Sequence, residues 1–572
     1  MAQIADSVIE EAQARPTVQI HLPAGRVLEA ERGLQLAAFL KGEDKNSAPI
    51  VGAIVNGELR ELIYPIEMES EVRPVTMGEE DGMRIYRRSL TFLLAAAFEE
   101  LFSEARLDVE HSVAHGGYHC HVSGRPQLEA AELSILDNRM RELVDEDLPF
   151  SKSQVELSEA IEYFESKGFT DKARLLARRR KPYMIIYEMS GHRDYHHGYM
   201  VPRTGYLQWF GLTSTEDGFT LRFPKRDTPT ELLPPPHYPK LMLTFDQYED
   251  WIQTLGVASV GALNDAADAG RMREIILVSE ALHEHRIAEI AAQIQENRES
   301  IRLVLVAGPS ASGKTTFSKR LSIQLLALGI SPLPIGLDNF FVDREKTPRD
   351  EHGEYDYERL DALDLDRLNH DMRKLAAGER VQLPEYDFIK GTQQDGEVVQ
   401  IGEGHIVILE GIHGLNPELL PELPEERGFR VFASALTQLN LDRYNRVSTT
   451  DTRLVRRLVR DARHRGKTAA DTISRWESVR RGERLYIFPY QENADVMFNS
   501  ALVYEGAALA PLAEPLLRQV TFGTPEHVEA KRLLSLLEWF VPIDDSPIPD
   551  NSILREFMGG SILRDFTVSS NA

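Results

Sequence analysis

One cysteine, Cys120, stands in a chain of 572 residues. No intrachain disulfide framework can therefore staple the fold, and a reducing, cytoplasmic setting is the expectation. Long apolar runs are also missing. No stretch approaches the roughly 20 residues needed to cross a bilayer, so no membrane partner is expected. The opening residues Met1–Glu11 are acidic and lack the basic-then-apolar order of a secretory signal. Positive charge is in deficit, with 65 Lys and Arg against 90 Asp and Glu and a net charge of -25. That balance disfavours a general nucleic-acid-coating role, although a single basic cleft stays compatible with it. There is no internal repeat and no low-complexity tract. The chain is too long for one hydrophobic core, so three or four domains are expected.

What is present centres on Gly308-Pro-Ser310-Ala311-Ser312-Gly313-Lys314-Thr315. The spacing is that of a phosphate-binding loop, a Gly followed after four residues by Gly-Lys-Ser/Thr. The context fits. Leu303–Ala307 reads as a buried strand, and the residues from Thr316 onward as an amphipathic helix. Glycines let backbone N–H groups face an anion, and the helix N-terminus adds a favourable dipole. Lys314 is expected to reach the β- and γ-phosphates, and the Thr315 hydroxyl to hold Mg²⁺.

Ahead of this loop, Thr17–Leu22 alternates as a strand, Leu34–Leu40 looks helical, and Ile54–Gly57 and Glu61–Ile63 suggest short strands about a hairpin turn. This order resembles the ubiquitin-like TGS domain at the front of threonyl-tRNA synthetases. Over residues 83–223 the helix Ser89–Phe102, the strand around Gly117–Val122 and Val201-Pro-Arg-Thr-Gly205 resemble the second additional domain of threonyl- and alanyl-tRNA synthetases. That resemblance implies a metal-associated editing site at Arg88, Phe92, His196 and Met200. Three of these four side chains are not zinc ligands, so hydrolytic editing is not expected. His111-Ser-Val-Ala-His115 repeats the His-x-x-x-His spacing, but its strand-like surroundings splay the two rings. Residues 224–300 read as a proline-rich linker and a helical connector.

Phosphoryl transfer needs a cradle, a metal, a base and cations, and residues 301–572 offer a candidate for each. His405–Glu410 is a buried strand ending in a carboxylate, where a Mg²⁺-associated acid belongs. Pro334–Asp338 is a second strand ending in an acid, and Asp338 is the candidate base. Arg453–Lys467 is a cation-rich helix running into a loop, and spacings of three and four put several guanidiniums on one face. In this order the elements resemble the uridine kinase/phosphoribulokinase family, and uridine–cytidine kinases most closely. The resemblance implies a P-loop fold with a parallel sheet flanked by helices, and ATP or GTP as donor with Mg²⁺. It implies Asp338 as catalytic base, Tyr386 within Tyr386-Asp387-Phe388 and Glu358 as acceptor contacts, and Arg457 facing the acceptor. Arg460, Arg465 and Lys467 then face the phosphates, with Thr316 closing the loop.

The chain departs from that family at three positions. Gly391 stands where a histidine reads the pyrimidine edge, Phe341 replaces a tyrosine after the catalytic acid, and Glu358 replaces an aspartate. A site without its polar base-reading group loses discrimination. The expected function is a kinase acting on the 5′-hydroxyl of a nucleoside. A sugar or sugar phosphate acceptor is the alternative on the same fold, and an RNA-binding nucleotide switch is a third reading. A homo-oligomer is compatible with the resemblance. The segment Pro549–Gly560 suggests only that it packs back onto the body.

Overall fold

The computed structural model describes residues 15–42, 48–113, 116–234, 238–351, 353–402, 404–422, 424, 427–437 and 439–568. The chain is multidomain, with α/β and β-rich parts. At the front, five strands form one mixed sheet in the order Arg26–Glu31, Thr17–Leu22, Ser70–Thr76, Ile50–Val55, Glu58–Glu61. Thr17–Leu22 and Ser70–Thr76 pair in parallel at its centre. A hairpin is present, but its turn falls at Asn56-Gly57, inside the expected strand Ile54–Gly57, and the returning strand is Glu58–Glu61 in place of Glu61–Ile63; φ of 49° and 80° suits a primed turn. The helical stretch expected over Leu34–Leu40 is shorter, Leu36–Phe39.

The helix expected from Ser89 begins nine residues earlier and runs Glu80–Leu101. Two sheets surround it: the antiparallel set Gly211–Ser214, Phe219–Arg222, Gly117–Ser123, Arg106–Val113, and the three strands His192–Asp194, Tyr183–Met189, Ser151–Glu156. The four positions of the synthetase-like metal site do converge here. The Phe92 ring lies 5.5 Å from His196 and 4.8 Å from His192. Arg88 donates to the Tyr199 carbonyl, and Met200 is buried beside them. A phenyl ring and a thioether thus fill the place as apolar packing. His111 stacks on Phe245 at 4.1 Å and on His119 at 5.1 Å. His115 lies outside the described residues. Among the described residues, no group of three or more His, Cys, Asp or Glu is placed to hold a metal ion.

Past residue 238 the connector is not a free tether. Three helices, Pro239–Leu255, Val260–Asp268 and Met272–Glu296, place residues such as Ile252, Leu263 and Ile290 in shared cores. A parallel sheet follows in the order Ser331–Gly336, His405–Glu410, Leu303–Ala307, Gly428–Ser434, Val496–Asn499. The strand Leu303–Ala307 sits at the centre, paired on both sides, and all five of its residues are buried. Its carboxyl end, with that of His405–Glu410 beside it, is where ligands bind in such sheets. Near Val381–Asp387 and Thr392–Val399 a separate antiparallel hairpin stands off the sheet.

A buried ionic cluster joins the front of the molecule to the segment 442–445. Lys172, fully buried, lies 3.0 Å from Asp194 and 3.2 Å from Asp442. Tyr195 donates its hydroxyl to Asp442 at 2.5 Å, and the ammonium faces the Tyr195 and Tyr444 rings at 4.7 and 4.8 Å. Alongside, Arg443 and Asp171 pair at 2.6 Å, and the Asp171 carboxyl is held down at about 2: burial opposes this and the Arg443 guanidinium outweighs it. Burial instead pushes Asp194 up to about 6.

Removing Lys172 strands two carboxylates in the interior. Lys172→Ala is expected to cost about 3–5 kcal/mol in urea unfolding. Asp194 is raised above its unfolded value, so its cost is absent below about pH 4 and accumulates as pH rises towards 6. Without the ammonium that accumulation continues above pH 6, and the deficit of the variant should be larger at pH 8 than at pH 5. An equal deficit at both would show that Asp194 is not the group left uncompensated.

Candidate active site

The loop 308–313 turns out of the central strand into the helix Lys314–Ala327. Gly308 has no alternative, because a Cβ there would lie 1.9 Å from the Ala433 carbonyl oxygen. Gly313 caps the helix at φ 83°, and a Cβ would meet Ile553 at 2.6 Å. Ala311 takes a left-handed φ of 58°, an unusual conformation for a residue with a Cβ. Lys314 is 9% exposed and folds back to donate to the Pro309 carbonyl at 3.2 Å. The Thr315 hydroxyl donates to Glu410 at 3.2 Å.

Around Lys314 the structure brings together the acids singled out from the sequence. Asp338 follows the strand Ser331–Gly336 in a short 3-10 turn. Its side chain reaches solvent, yet protein encloses the cleft. That desolvation raises its carboxyl above the ordinary value, against the pull of Lys314, Arg465 and Arg460. Glu410 is pushed up to about 7, chiefly by burial, opposed by Lys314 and reinforced by Asp338 and Glu556. Arg460 and Arg465 lie at and just past the end of the helix Thr449–His464 and share Asp461, at 2.9 and 3.6 Å. Lys467 is exposed. Its N–H bonds the Asp461 carbonyl, and no contact among the described residues joins its side chain to the loop.

Arg457 does not stand free. It donates to the Ser310 hydroxyl at 2.7 Å and pairs with Asp461 at 3.3 Å. Nearby, Glu358 is pushed up to about 8 by burial and by Glu483, with Arg457 opposing. Gly482 makes room for it, since a Cβ there would lie 2.2 Å from that of Glu358. Tyr386 is 5% exposed, its hydroxyl has no hydrogen-bond partner among the described residues, and its ring meets Phe341 at 5.7 Å. The place beside Gly391 is taken. A Cβ there would lie 2.6 Å from the Arg344 guanidinium carbon, and Arg344 donates to the Phe388 carbonyl at 2.8 Å.

Several participants were not legible in the sequence. The Ser310 N–H donates to Glu483 at 3.1 Å, and Glu483 is gripped by Arg453, which also donates to the Ser310 carbonyl at 2.9 Å. Arg456 pairs with Glu505 at 2.6 Å beneath the loop. Most unexpected is the tail. Glu556 accepts from the Thr316 N–H at 3.2 Å and from its hydroxyl at 2.8 Å. Ile553 covers Gly313, Phe557 lies 5.2 Å from the Arg456 guanidinium, and Lys319 donates to the Leu563 and Arg564 carbonyls. The expectation that residues 549–560 pack onto the body holds, but they pack on the anion loop itself. No local signal marks Glu483 or Glu556, because each acts across more than 170 residues of sequence.

Residues 303–504 match the family described as Phosphoribulokinase / Uridine kinase family. That match covers about a third of the chain. The N-terminal region is similar to threonine–tRNA ligases. The Lawsonia intracellularis enzyme is 26% identical over 178 residues, covering 31% of this chain and 28% of that protein. For Thermotoga maritima the values are 27% over 204 residues, 35% and 31%. The chain thus spans less than a third of these relatives' length. Among solved structures, a protein described as a possible uridine kinase from Bacillus stearothermophilus is 25% identical. It covers 38% of this chain and 98% of its own, with a TM-score of 0.26.

Glu556 sits on donors that a phosphate group would use at a helix N-terminus. Glu556→Ala should therefore tighten binding of Mg-ATP. The gain is about tenfold if the two hydrogen bonds are worth about 1.4 kcal/mol. Titration calorimetry reads this directly, and an unchanged dissociation constant would show that the tail does not compete.

Proposed function

We propose that the chain transfers the γ-phosphoryl group of ATP or GTP to the 5′-hydroxyl of a nucleoside. The observation carrying this reading is the convergence of Lys314, Arg460 and Arg465 on Asp338, with Glu410 beside Lys314. Asp338 orients the acceptor hydroxyl and takes its proton, a role suited to a carboxylate whose basicity the cleft has raised. Lys314 and the loop N–H groups hold the donor phosphates, while Arg460 and Arg465 face the migrating charge. Thr315 and Glu410 offer two hard oxygen donors side by side, a set that fits Mg²⁺. When bound, that ion would offset phosphate charge. Glu358 and Tyr386, with Phe341 against its ring, line the acceptor side. Donor binding requires Glu556 to release Thr316.

A second reading concerns the acceptor alone. Where a base-reading side chain would project from residue 391, Arg344 presents a guanidinium. A cation there favours an acceptor that carries its own anionic group, such as a sugar phosphate.

Lys314→Ala should abolish transfer without unfolding the chain. Asp338→Asn should lower kcat by about 10²–10⁴-fold while ATP affinity stays nearly constant. Near-normal turnover of Asp338→Asn would remove it from the role of base. Acceptor profiling by ADP release separates the two acceptors. Under the second reading, sugar phosphates outperform nucleosides and Arg344→Ala raises their KM by about tenfold or more.

A further inference from the structure

Away from the phosphate loop, a cavity of about 980 Å³ opens between the helix Glu80–Leu101 and the kinase-type region. In a chain of net charge -25 its walls are cationic: eleven lining residues are Lys or Arg and three are Asp or Glu. Part of this charge is already neutralised. Arg84 pairs with Glu529 at 2.8 Å, Arg532 with Asp451 at 2.5 Å, and Arg480 with Glu80 at 2.9 Å.

Four cations make no ion pair among the described residues, although Glu80 and Asp227 act on Arg87 and Lys225 from farther off. Arg87, Arg88, Lys225 and Arg446 have no carboxylate oxygen within 4.0 Å among the described residues. The Arg87 Nε is buried without a hydrogen-bond partner among the described residues, and its guanidinium lies over the Phe223 ring at 4.8 Å. Arg88 is seated where Gly198 leaves space, since a Cβ there would fall 2.6 Å from its guanidinium carbon. Arg446 is oriented by the Glu110 carbonyl and the Ser112 hydroxyl, both at 2.6 Å, and lies over the Tyr118 ring at 4.7 Å. Burial lowers Arg88 to about 10 and also lowers Arg446 and Lys225, where Tyr118 and Asp227 respectively oppose it and Arg87 and Arg484 add to it. Like charges held together in a poorly hydrated space cost stability unless something negative joins them.

We propose that this interdomain cavity is a second anion site that binds a small molecule bearing two or more phosphate groups. Its volume is that of a small-molecule site. Guanidiniums oriented by hydrogen bonds to neutral groups keep N–H donors free for phosphate oxygens. The chain's overall negative charge repels a long polyanion, which favours a compact one. The site is built from both halves of the chain, and one wall, Arg453, also holds Ser310 and Glu483 of the phosphate loop. An occupant would therefore touch the loop's support without entering it.

The test uses the full chain with Lys314→Ala as background, so that the phosphate loop is impaired. Inorganic tripolyphosphate is titrated by calorimetry at low salt, and one equivalent should bind. Adding Arg88→Gln and Arg446→Gln should weaken that binding by about tenfold or more, because glutamine keeps a donor and removes the charge. If the double variant does not fold, the salt series on the background protein decides. Affinity should fall about tenfold or more between 50 and 300 mM NaCl for several phosphate contacts. Absence of binding, salt-insensitive binding, or equal affinity in a folded glutamine variant would each overturn the proposal. A single-stranded oligoribonucleotide binding more tightly than tripolyphosphate, through the same two arginines, would overturn the assignment to a small molecule.

Discussion

A ring of backbone N–H groups shaped for phosphate must be neutralised by something, and much of the region around the loop answers to that constraint. Here the answer is internal. Glu483 takes the Ser310 N–H and Glu556 takes the Thr316 N–H, so two carboxylates from distant parts of the chain stand against the loop. Each is itself held. Arg453 grips Glu483, and the tail carrying Glu556 is pinned where Ser552 donates to Glu280 at 2.5 Å. Tyr504 donates to the same Glu280 at 2.7 Å. The helix Thr449–His464 therefore serves two tasks from one strip of sequence. Arg453 and Arg456 turn inward to brace the loop, and Arg460 and Arg465 reach the cleft with Asp338.

The same economy of charge governs how the parts of the molecule join. The chain is strongly acidic, and buried cations stand where its parts meet. Lys172 is shared by Asp194 and Asp442, and Arg443 by Asp171. Buried pairs of this kind add less to stability than their geometry suggests, because desolvation offsets the attraction. Their effect is to make wrong arrangements expensive, since a displaced partner leaves a bare charge in the interior. The interdomain cavity shows the complementary case, in which cations have been gathered and not all of them matched.

Legibility in the sequence followed locality. The phosphate loop was readable because its glycines, lysine and threonine are contiguous, and each glycine answers a clash that can be named, with Ala433 or with Ile553. Strands such as Leu303–Ala307 and His405–Glu410 were readable because a parallel strand buried on both faces is continuously apolar. The departure at Gly391 was visible too, but what fills the space was not. Arg344 arrives there from another loop, and only packing reveals it.

By itself, the sequence determined the presence of an anion loop between a strand and a helix, the acids at the ends of two strands, and the loss of ligand chemistry at Arg88, Phe92 and Met200. These depend on residue type and short-range spacing, which folding does not alter. Tertiary structure alone decided that Glu556 rests on Thr316, that Glu483 is clamped by Arg453, and that Arg87, Arg88 and Arg446 face one enclosed space. The first two pairings span 240 and 30 positions, and the energies of all three come from desolvation and distance, neither of which exists until the chain has packed.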